Sequence, residues 1–351
     1  MAGAPGVSFS SYQLTIFISF SVCFLTHHVF SPWIFKKYPF YSKLSRNKRM
    51  EWDSRIVSTM HAGIVSILCL IALKNDPEMW IDPINYESFT GTLAMSISFG
   101  YFLCDSFSMP VYWRGYQLFL FLIHHGAAMA GIYGLLIFRG CSFFGVFRLV
   151  TELSTPFANQ RWFFRTAGIN STRRRTALST IIFTILFIIT RNGLIIPYWI
   201  TSLKVFNSEG LSKAKEKLPY MHWVCFGVPG ALDMLNIYWS KDVYMVGWRA
   251  VKYFKNADWQ HDLNKAKDRV RKIKATISQF RPHEDDGDSA DERFFTRSRS
   301  RILNSLQKFG FERSTSAHSR KPIVHNDSYS NISNNEEFSD FDDPSYKNKD
   351  D

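Results

Sequence analysis

The sequence contains few cysteines and none of the short motifs that mark common soluble enzymes. Its five cysteines, Cys23, Cys69, Cys104, Cys141 and Cys225, lie in apolar segments without the spacing of a metal site. An odd number in such segments is typical of small core residues rather than of a disulfide framework. There is no phosphate-binding glycine loop, no Gly-x-Ser-x-Gly elbow and no His-Glu-x-x-His motif. We therefore expect no metal site, no tightly bound cofactor and no disulfide scaffold.

The first eleven residues carry no charged side chain. A cleavable signal peptide begins with a basic region, so this absence predicts that the first apolar segment is retained.

The chain consists of two parts that differ in hydropathy. Hydrophobic residues make up 46% of the 351 residues and aromatic residues 16%, yet the mean hydropathy is only −0.12. Residues up to about 255 are densely apolar and contain several runs of about 20 residues, the length that spans a hydrocarbon core of roughly 30 Å. The sequence predicts an all-α polytopic membrane protein, with six to seven transmembrane helices around a central polar cavity and a disordered C-terminal tail.

Seven apolar segments are candidate spans: 12–35, 56–73, 89–109, 116–138, 141–157, 177–203 and 220–239. The fifth is short and polar enough to be re-entrant or tilted, which leaves the count at six or seven. Pro197 and Pro229 predict kinks in the last two spans. Trp and Tyr residues at the span ends, Trp239 among them, are typical of interfacial belts.

The formal net charge of +12 follows from basic loops and does not argue for nucleic acid. Residues 36–55 contain seven Lys and Arg side chains, residues 74–88 are acidic, and five arginines follow the fifth span. Under the positive-inside rule, seven spans place the N-terminus in the lumen and the C-terminus in the cytosol. Four lysines in residues 204–219 oppose this orientation.

The polar C-terminal part predicts a charged surface helix at 256–281 and a disordered cytosolic tail at 282–351. The last five residues carry Lys347 and Lys349 in a Lys-x-Lys-x-x pattern, which is similar to the retrieval signals of endoplasmic-reticulum membrane proteins. A lysine pair also arises by chance in a polar tail. As a signal, it predicts residence in the endoplasmic reticulum membrane, cycling to the Golgi and recognition by a coat protein.

Two adjacent histidines, His124 and His125, lie inside the apolar run 117–137. Consecutive helical residues point about 100° apart, so the two rings cannot face one point squarely. A neutral imidazole acts as a general base or nucleophile when a carboxylate orients its second nitrogen. Glu152, Asp105 and Asp233 are the candidate carboxylates, each in a different span. The same residues also suit a purely structural polar core.

Two arginines lie at membrane depth, where a charge costs roughly 2.5–3.5 kcal/mol on insertion scales. Arg148 is four residues before Glu152, so the two share a helix face and can form an ion pair. Arg191 interrupts the sixth span and is a candidate for holding an anionic ligand.

Three blocks carry a family resemblance: segment 100–105 (Gly-Tyr-Phe-Leu-x-Asp), the pair at 124–125, and segment 152–159 (Glu-Leu-Ser-Thr-Pro-Phe-Ala-Asn). Segment 233–239 (Asp-x-x-x-x-Tyr-Trp) adds a weaker match. Together they resemble the TLC-domain family, named for translocating-chain-associating proteins, ceramide synthases and a neuronal ceroid lipofuscinosis protein. The resemblance places the TLC domain at 49–255, after an N-terminal segment and first transmembrane helix at 1–48.

The resemblance implies helices around a membrane cavity, endoplasmic-reticulum or Golgi residence, and a role in lipid synthesis, sensing or transport. Ceramide synthases of the family use their His pair and following acidic residues to transfer a fatty acyl group from acyl-CoA to a sphingoid amine. The partners implied are membrane lipids, with fatty acyl-CoA as co-substrate. The catalytic candidates are His124, His125, Glu152 and Asp105, and the substrate-binding candidates are Arg148, Arg191, Asn159 and Asp233.

The downstream His-Asp and Ser-Asp elements of the ceramide-synthase motif are absent. A different acyl transfer therefore stands beside two alternatives, lipid binding or sensing without chemistry and a cargo receptor that cycles between the endoplasmic reticulum and the Golgi.

Overall fold

A computed structural model of the protein describes residues 9–167 and 173–256, together with positions 260, 264, 267, 268, 270–272 and 275. Regular secondary structure in these residues is helical, and no strand is present among them. The predicted all-α fold is confirmed.

The described residues up to Lys252 belong to one compact unit, and Tyr253 begins a second. In the second unit, the described positions between 260 and 275 are helical and exposed. The remainder of the predicted surface helix, and the predicted tail at 282–351 with Lys347 and Lys349, lie outside the described residues.

The described α-helices are α1 (Phe9–Leu25), α2 (Ser31–Phe35), α3 (Pro39–Lys43), α4 (Arg46–Asn75), α5 (Glu78–Ile81), α6 (Phe89–Tyr112), α7 (Gly115–Phe138), α8 (Ser142–Leu149), α9 (Thr155–Thr166), α10 (Arg173–Phe187), α11 (Ile195–Val205), α12 (Glu209–Lys217) and α13 (Val228–Lys255). Shorter turns connect some of them without a break: π-helical turns at Thr26–Phe30, Ile188–Gly193 and Trp223–Gly227, and a 3₁₀ turn at Val150–Ser154.

Four helical stretches are long and apolar enough to cross a membrane: Tyr12–Phe35, Arg46–Asn75, Gly115–Phe138 and Arg174–Val205. They correspond to the first, second, fourth and sixth predicted spans. The protein is therefore polytopic, and the count of six or seven remains a prediction.

The second span begins earlier than its apolar run. Helix α4 starts at Arg46, and the Ser45 side chain caps it by accepting a hydrogen bond from the Lys48 amide at 3.4 Å. The predicted loop at 36–55 is thus wrong in its second half. The first turns of α4 contain basic residues and bury two acidic ones, Glu51 and Asp53, and the basic residues made this segment resemble a loop.

The fifth predicted span does not stop at Phe157. Helix α8, the 3₁₀ turn and α9 form one helical path that continues to Thr166. Helix α8 lies at the centre of the bundle, where Phe143, Phe144 and Val146 are almost fully buried against α4, α6 and α7.

The predicted kinks at Pro197 and Pro229 take the form of π-helical turns that precede each proline. A proline ring in a helix clashes with the carbonyl group four residues earlier. Those carbonyls belong to Gly193 and Cys225, which lie in the turns Ile188–Gly193 and Trp223–Gly227.

Helices α1 and α6 approach each other closely at Gly100. A Cβ atom at this position would lie 2.5 Å from the Ile16 carbonyl oxygen and 2.8 Å from Ser19 Cβ. Position 100 therefore requires glycine because a side chain would clash with α1, and not because of its backbone conformation. The absence of a side chain allows α1 to pack directly against α6.

The segment before α4 is attached to it through a buried carboxylate. Asp53 accepts hydrogen bonds from Ser31 Oγ at 2.6 Å and from Tyr41 Oη at 2.7 Å. Burial and the neighbouring Asp53 raise the pKa of Tyr41 well above its ordinary value, so this phenol stays protonated and donates. Helix α3 and the end of the first span are thereby held against α4.

Candidate functional site

A cavity of about 540 Å³ lies among α4, α6, α7, α9, α10 and α13. It is lined by six of the eight predicted site residues: Asp105, His124, His125, Glu152, Asn159 and Arg191. Arg148 lines a neighbouring cavity of about 60 Å³, which shares His124 and Glu152 with the first, and Asp233 lines neither. Most of the predicted site residues therefore lie in one cavity.

Asp105 and His125 face each other across the hairpin of α6 and α7, whose link is only Trp113 and Arg114. Nδ1 of His125 lies 3.9 Å from Asp105 Oδ2 and 3.5 Å from Ser106 Oγ. Both side chains are 7% exposed, so water screens their interaction little. Asp105 rather than Glu152 is the carboxylate beside the imidazole.

Two hydroxyl groups hold the Asp105 carboxylate in place. Ser54 Oγ donates to Oδ1 at 2.8 Å, and Tyr101 Oη approaches Oδ2 at 3.3 Å. Tyr112 in turn donates to Ser54 Oγ at 2.9 Å. The chain of hydroxyls connects α4 to α6 and fixes the carboxylate where it meets His125.

His124 has different surroundings from its neighbour. Its ring centroid lies 5.7 Å from that of Trp239 on α13, in an edge-on arrangement. Its Nδ1 atom is buried and has no hydrogen-bond partner among the residues that the structure describes. Because no carboxylate orients this ring, His125 is the better placed of the two for proton transfer.

Glu152 and Arg191 form the second polar cluster of the cavity. Glu152 Oε2 accepts from Thr155 Oγ1 at 2.9 Å, and Oε1 lies 3.6 Å from Arg191 Nη2. The guanidinium group also donates to Ser154 Oγ at 3.1 Å and to Asn236 Oδ1 at 3.2 Å. Arg191 thus joins the 3₁₀ turn to α13, and its donors are engaged by protein groups.

Asn159 is held by α4 at the same end of the cavity as Tyr112. Its side-chain amide donates to Ser58 Oγ and Thr59 Oγ1, each at 3.1 Å, and its carbonyl oxygen accepts from Arg55 Nη1 at 3.1 Å. The Arg55 guanidinium is further paired with Glu51 at 3.0 Å.

Arg148 is paired with Asp233 and not with Glu152. Both guanidinium ends bind the carboxylate, with Nη2 to Oδ2 at 2.9 Å, and the group lies 3.7 Å from the Tyr198 ring centroid. Trp199 Nε1 donates to the same carboxylate at 2.8 Å. The ion pair between residues 148 and 152 suggested by their spacing is therefore absent.

Sequence patterns did not identify several cavity residues, Ser54, Arg55, Trp239 and Asp242 among them. Ser54 and Arg55 fell in the predicted loop, and Trp239 was interpreted as part of an interfacial belt. One usable signal was the short link between α6 and α7, because it sets Asp105 and His125 at similar depths on adjacent antiparallel helices. In the described part of the chain, no group of three His, Cys, Asp or Glu side chains is arranged to hold a metal ion.

Comparison with protein families matches residues 51–244 to the TLC domain, described as TRAM_LAG1_CLN8. The match covers more than half of the 351 residues. The chain belongs to the TLC-domain family. The family is polytopic in the membrane, in agreement with the helices described above.

Known TLC-domain proteins resemble the chain over different lengths. TLC domain-containing protein 4-A of Xenopus laevis is 34% identical over 238 residues, which cover 67% of this chain and 90% of the relative. TLC domain-containing protein 4 of Homo sapiens is 30% identical over 223 residues, 63% and 84% of the two chains. TLC domain-containing protein 1 of Mus musculus is 28% identical over 110 residues, or 31% and 44%. The similarity to the protein 4 group thus extends over most of the length of its members.

Proposed function

We propose that this TLC-domain protein transfers a fatty acyl group from acyl-CoA to an amine or hydroxyl of a membrane lipid, in the endoplasmic reticulum membrane. The observation that carries the proposal is the Asp105–His125 arrangement on the wall of a cavity of about 540 Å³. A carboxylate that orients an imidazole in a cavity among membrane helices is the chemistry that general-base acyl transfer needs.

In the proposed reaction, Asp105 faces the Nδ1 side of His125 and the other ring nitrogen accepts the proton of the lipid hydroxyl or amine. The lipid oxygen or nitrogen then attacks the thioester carbonyl and forms an ester or amide bond. The carbon–sulfur bond breaks, and the proton passes from the imidazole to the departing CoA thiolate. The imidazole ends neutral, ready for another cycle.

Basic side chains suit the open end of the cavity to a nucleotide phosphate. Lys48, Arg114 and Lys241 are exposed, and each is close in sequence to residues that line the cavity. By the positive-inside rule, this end faces the cytosol, where acyl-CoA is found. Arg191, by contrast, is engaged by its neighbours and supports the site from within.

Comparative lipid mass spectrometry tests the proposal directly. Membranes from cells that express the wild type are compared with membranes containing the His124→Ala/His125→Ala variant at matched levels. We expect one lipid class to rise only with the wild type. His28→Ala is the matched control, because His28 is exposed and lies outside the cavity.

A lipid sensor without chemistry is the second candidate, and the hydrogen bonding of Glu152, Asn159 and Arg191 favours it. Each of these side chains is satisfied by protein groups, as expected of a structural polar core. Indistinguishable lipidomes, with the histidine variant folded and correctly located, would support the sensor and contradict acyl transfer.

A further inference from the structure

The open end of the cavity has an aromatic wall between α7 and α13. Tyr116 and Tyr238 line the cavity although they are 52% and 56% exposed. Residues that are both exposed and part of the lining mark the place where the cavity meets its surroundings. Because α7 is long and apolar enough to cross a membrane, those surroundings include lipid.

A series of ring contacts leads inward from this opening. The Trp113 and Phe121 ring centroids are 4.5 Å apart, and Phe121 stacks on Trp239 at 5.5 Å. Trp239 then contacts His124 at 5.7 Å. A molecule bound at the opening therefore has a continuous aromatic surface between itself and the histidine pair.

One carboxylate at the opening has no hydrogen-bond or ion-pair partner among the described residues. Four acidic side chains line the cavity: Glu51, Asp105, Glu152 and Asp242. The first three accept hydrogen bonds from neighbouring side chains. Asp242 is partly buried and makes no side-chain hydrogen bond or ion pair among the residues that the structure describes. A carboxylate in that position has a net attraction left for a cation.

Asp242 shares a helix face with two of the aromatic residues. It follows Tyr238 by four residues and Trp239 by three, and side chains at these separations are neighbours on a helix. Carboxylate and aromatic faces together are the groups that bind alkylammonium ions, because the ring quadrupole and the negative charge both attract the cation. A headgroup that carries a negative charge and no ammonium group would lack this attraction.

We propose that this opening binds the ammonium headgroup of a membrane lipid, with Asp242 as counter-ion and Tyr116, Tyr238 and Trp239 as aromatic walls. The lipid's apolar chain remains along the outer faces of α7 and α13, where Phe119, Ile237 and other large apolar side chains are exposed. The inference rests on the proposed function for the role of the bound lipid as acceptor, whereas the binding itself does not require turnover.

Binding can be measured with three single-chain lipids of equal acyl length. The purified full-length protein, in non-ionic detergent and without acyl-CoA, is titrated with lysophosphatidylcholine, lysophosphatidylethanolamine or lysophosphatidylglycerol and observed by native mass spectrometry. We expect the two ammonium lipids to bind about tenfold more tightly than the glycerol lipid, as for one partly buried charge pair with aromatic contacts. Equal or tighter binding of the glycerol lipid would overturn the inference.

Variants assign the preference to the proposed residues. Asp242→Asn should remove the preference for the ammonium lipids, whereas Glu209→Gln, a change at an exposed acidic residue outside the cavity, should retain it. Tyr238→Leu supplies a second test at an exposed position and should weaken binding of the choline lipid several-fold. If both Asp242→Asn and Tyr238→Leu keep the wild-type preference, the opening is not the ammonium site. If the wild type prefers the ammonium lipids and no lipid product forms, the result contradicts acyl transfer and still supports the ammonium site.

Discussion

Asp105 Oδ2 and His125 Nδ1 lie 3.9 Å apart on consecutive helices, with both side chains 7% exposed. The separation exceeds a hydrogen bond, yet a small shift of either ring or carboxylate closes it, and such distances commonly tighten when substrate binds. A two-residue link between α6 and α7 holds this pair at one depth in the bundle.

Replacement of the carboxylate by an amide should separate its chemical role from its structural one. In the proposed acyl transfer, we expect Asp105→Asn to lower kcat by about 10²-fold with little change in KM, because the amide would not stabilise an imidazolium formed during proton transfer. The measurement is acyl transfer by purified protein in micelles, once the product class is known.

Ser106→Ala is the matched comparison, since Ser106 Oγ lies 3.5 Å from the same His125 nitrogen. At that distance the hydroxyl contributes little, and the rate should stay near that of the wild type. An Asp105→Asn rate equal to that of Ser106→Ala would refute a role for the carboxylate.

The Arg148–Asp233 pair is predicted to support the fold. Arg148→Met leaves a carboxylate without its ion-pair partner and should lower the free energy of unfolding by about 3–5 kcal/mol. The double variant Arg148→Met/Asp233→Leu should recover most of the loss, since neither charge remains. Thermal unfolding in detergent micelles gives the comparison.

A surface pair provides the control for that experiment. Lys213 and Glu209 are 2.7 Å apart, but their side chains are 65% and 82% exposed. Exposed pairs contribute little to stability, so Lys213→Met should leave the unfolding midpoint nearly unchanged. If the Arg148→Met/Asp233→Leu variant does not recover stability, the shape of the two side chains, rather than their charge, governs the 148–233 contact.

Two glycines should respond in opposite ways to alanine. Gly100→Ala would press a methyl group to within 2.5 Å of the Ile16 carbonyl oxygen, so α1 must move away from α6, and we expect a loss of about 2–3 kcal/mol, typical of overpacking. Gly63→Ala meets no atom within 4 Å and should gain about 0.5–1 kcal/mol from helix propensity. Unfolding midpoints that change in the same direction would contradict this packing.

Replacement of the two C-terminal lysines tests the predicted subcellular location of the protein. We expect Lys347→Ala/Lys349→Ala to move the protein from the endoplasmic reticulum to the Golgi and beyond, because the coat-recognition pattern is lost. Fluorescence microscopy of the full-length protein against compartment markers measures the change. Arg320→Ala/Lys321→Ala, which also removes two positive charges from the polar tail, is the control. An unaltered location of the Lys347→Ala/Lys349→Ala variant would reject the signal.

The lengths of the apolar runs and the family motifs predicted the helical fold and six of the residues that line the cavity. Ionisable side chains at membrane depth cost free energy and usually face the interior of the helix bundle. The presence of Asp105 and Arg191 in apolar runs therefore predicted one interior site. Sequence alone does not show which helices meet, and Asp242, which lies beyond the predicted end of the last span at residue 239, was therefore not identified.

The incorrect pairing of Arg148 with Glu152 has a local cause. A four-residue separation places two side chains on one face only if the helix stays α-helical. The 3₁₀ turn begins at Val150, and at 3.0 residues per turn it rotates Glu152 roughly a quarter-turn away from Arg148. The residue types of that segment do not indicate the change from α-helix to 3₁₀-helix.

The π-helical turn at Ile188–Gly193 has a consequence for how this chain tolerates changes in length. Such a turn contains one residue more than an α-helix needs, so it offsets the angular phase of everything after it by about 100°. Tyr198 and Trp199 reach Arg148 and Asp233 only in that offset phase. A one-residue deletion inside the turn would relax it to regular α-helix and swing both rings toward lipid. The Arg148–Asp233 ion pair would then lose its contact with the Tyr198 ring and its hydrogen bond from Trp199, although neither of its own residues had been altered.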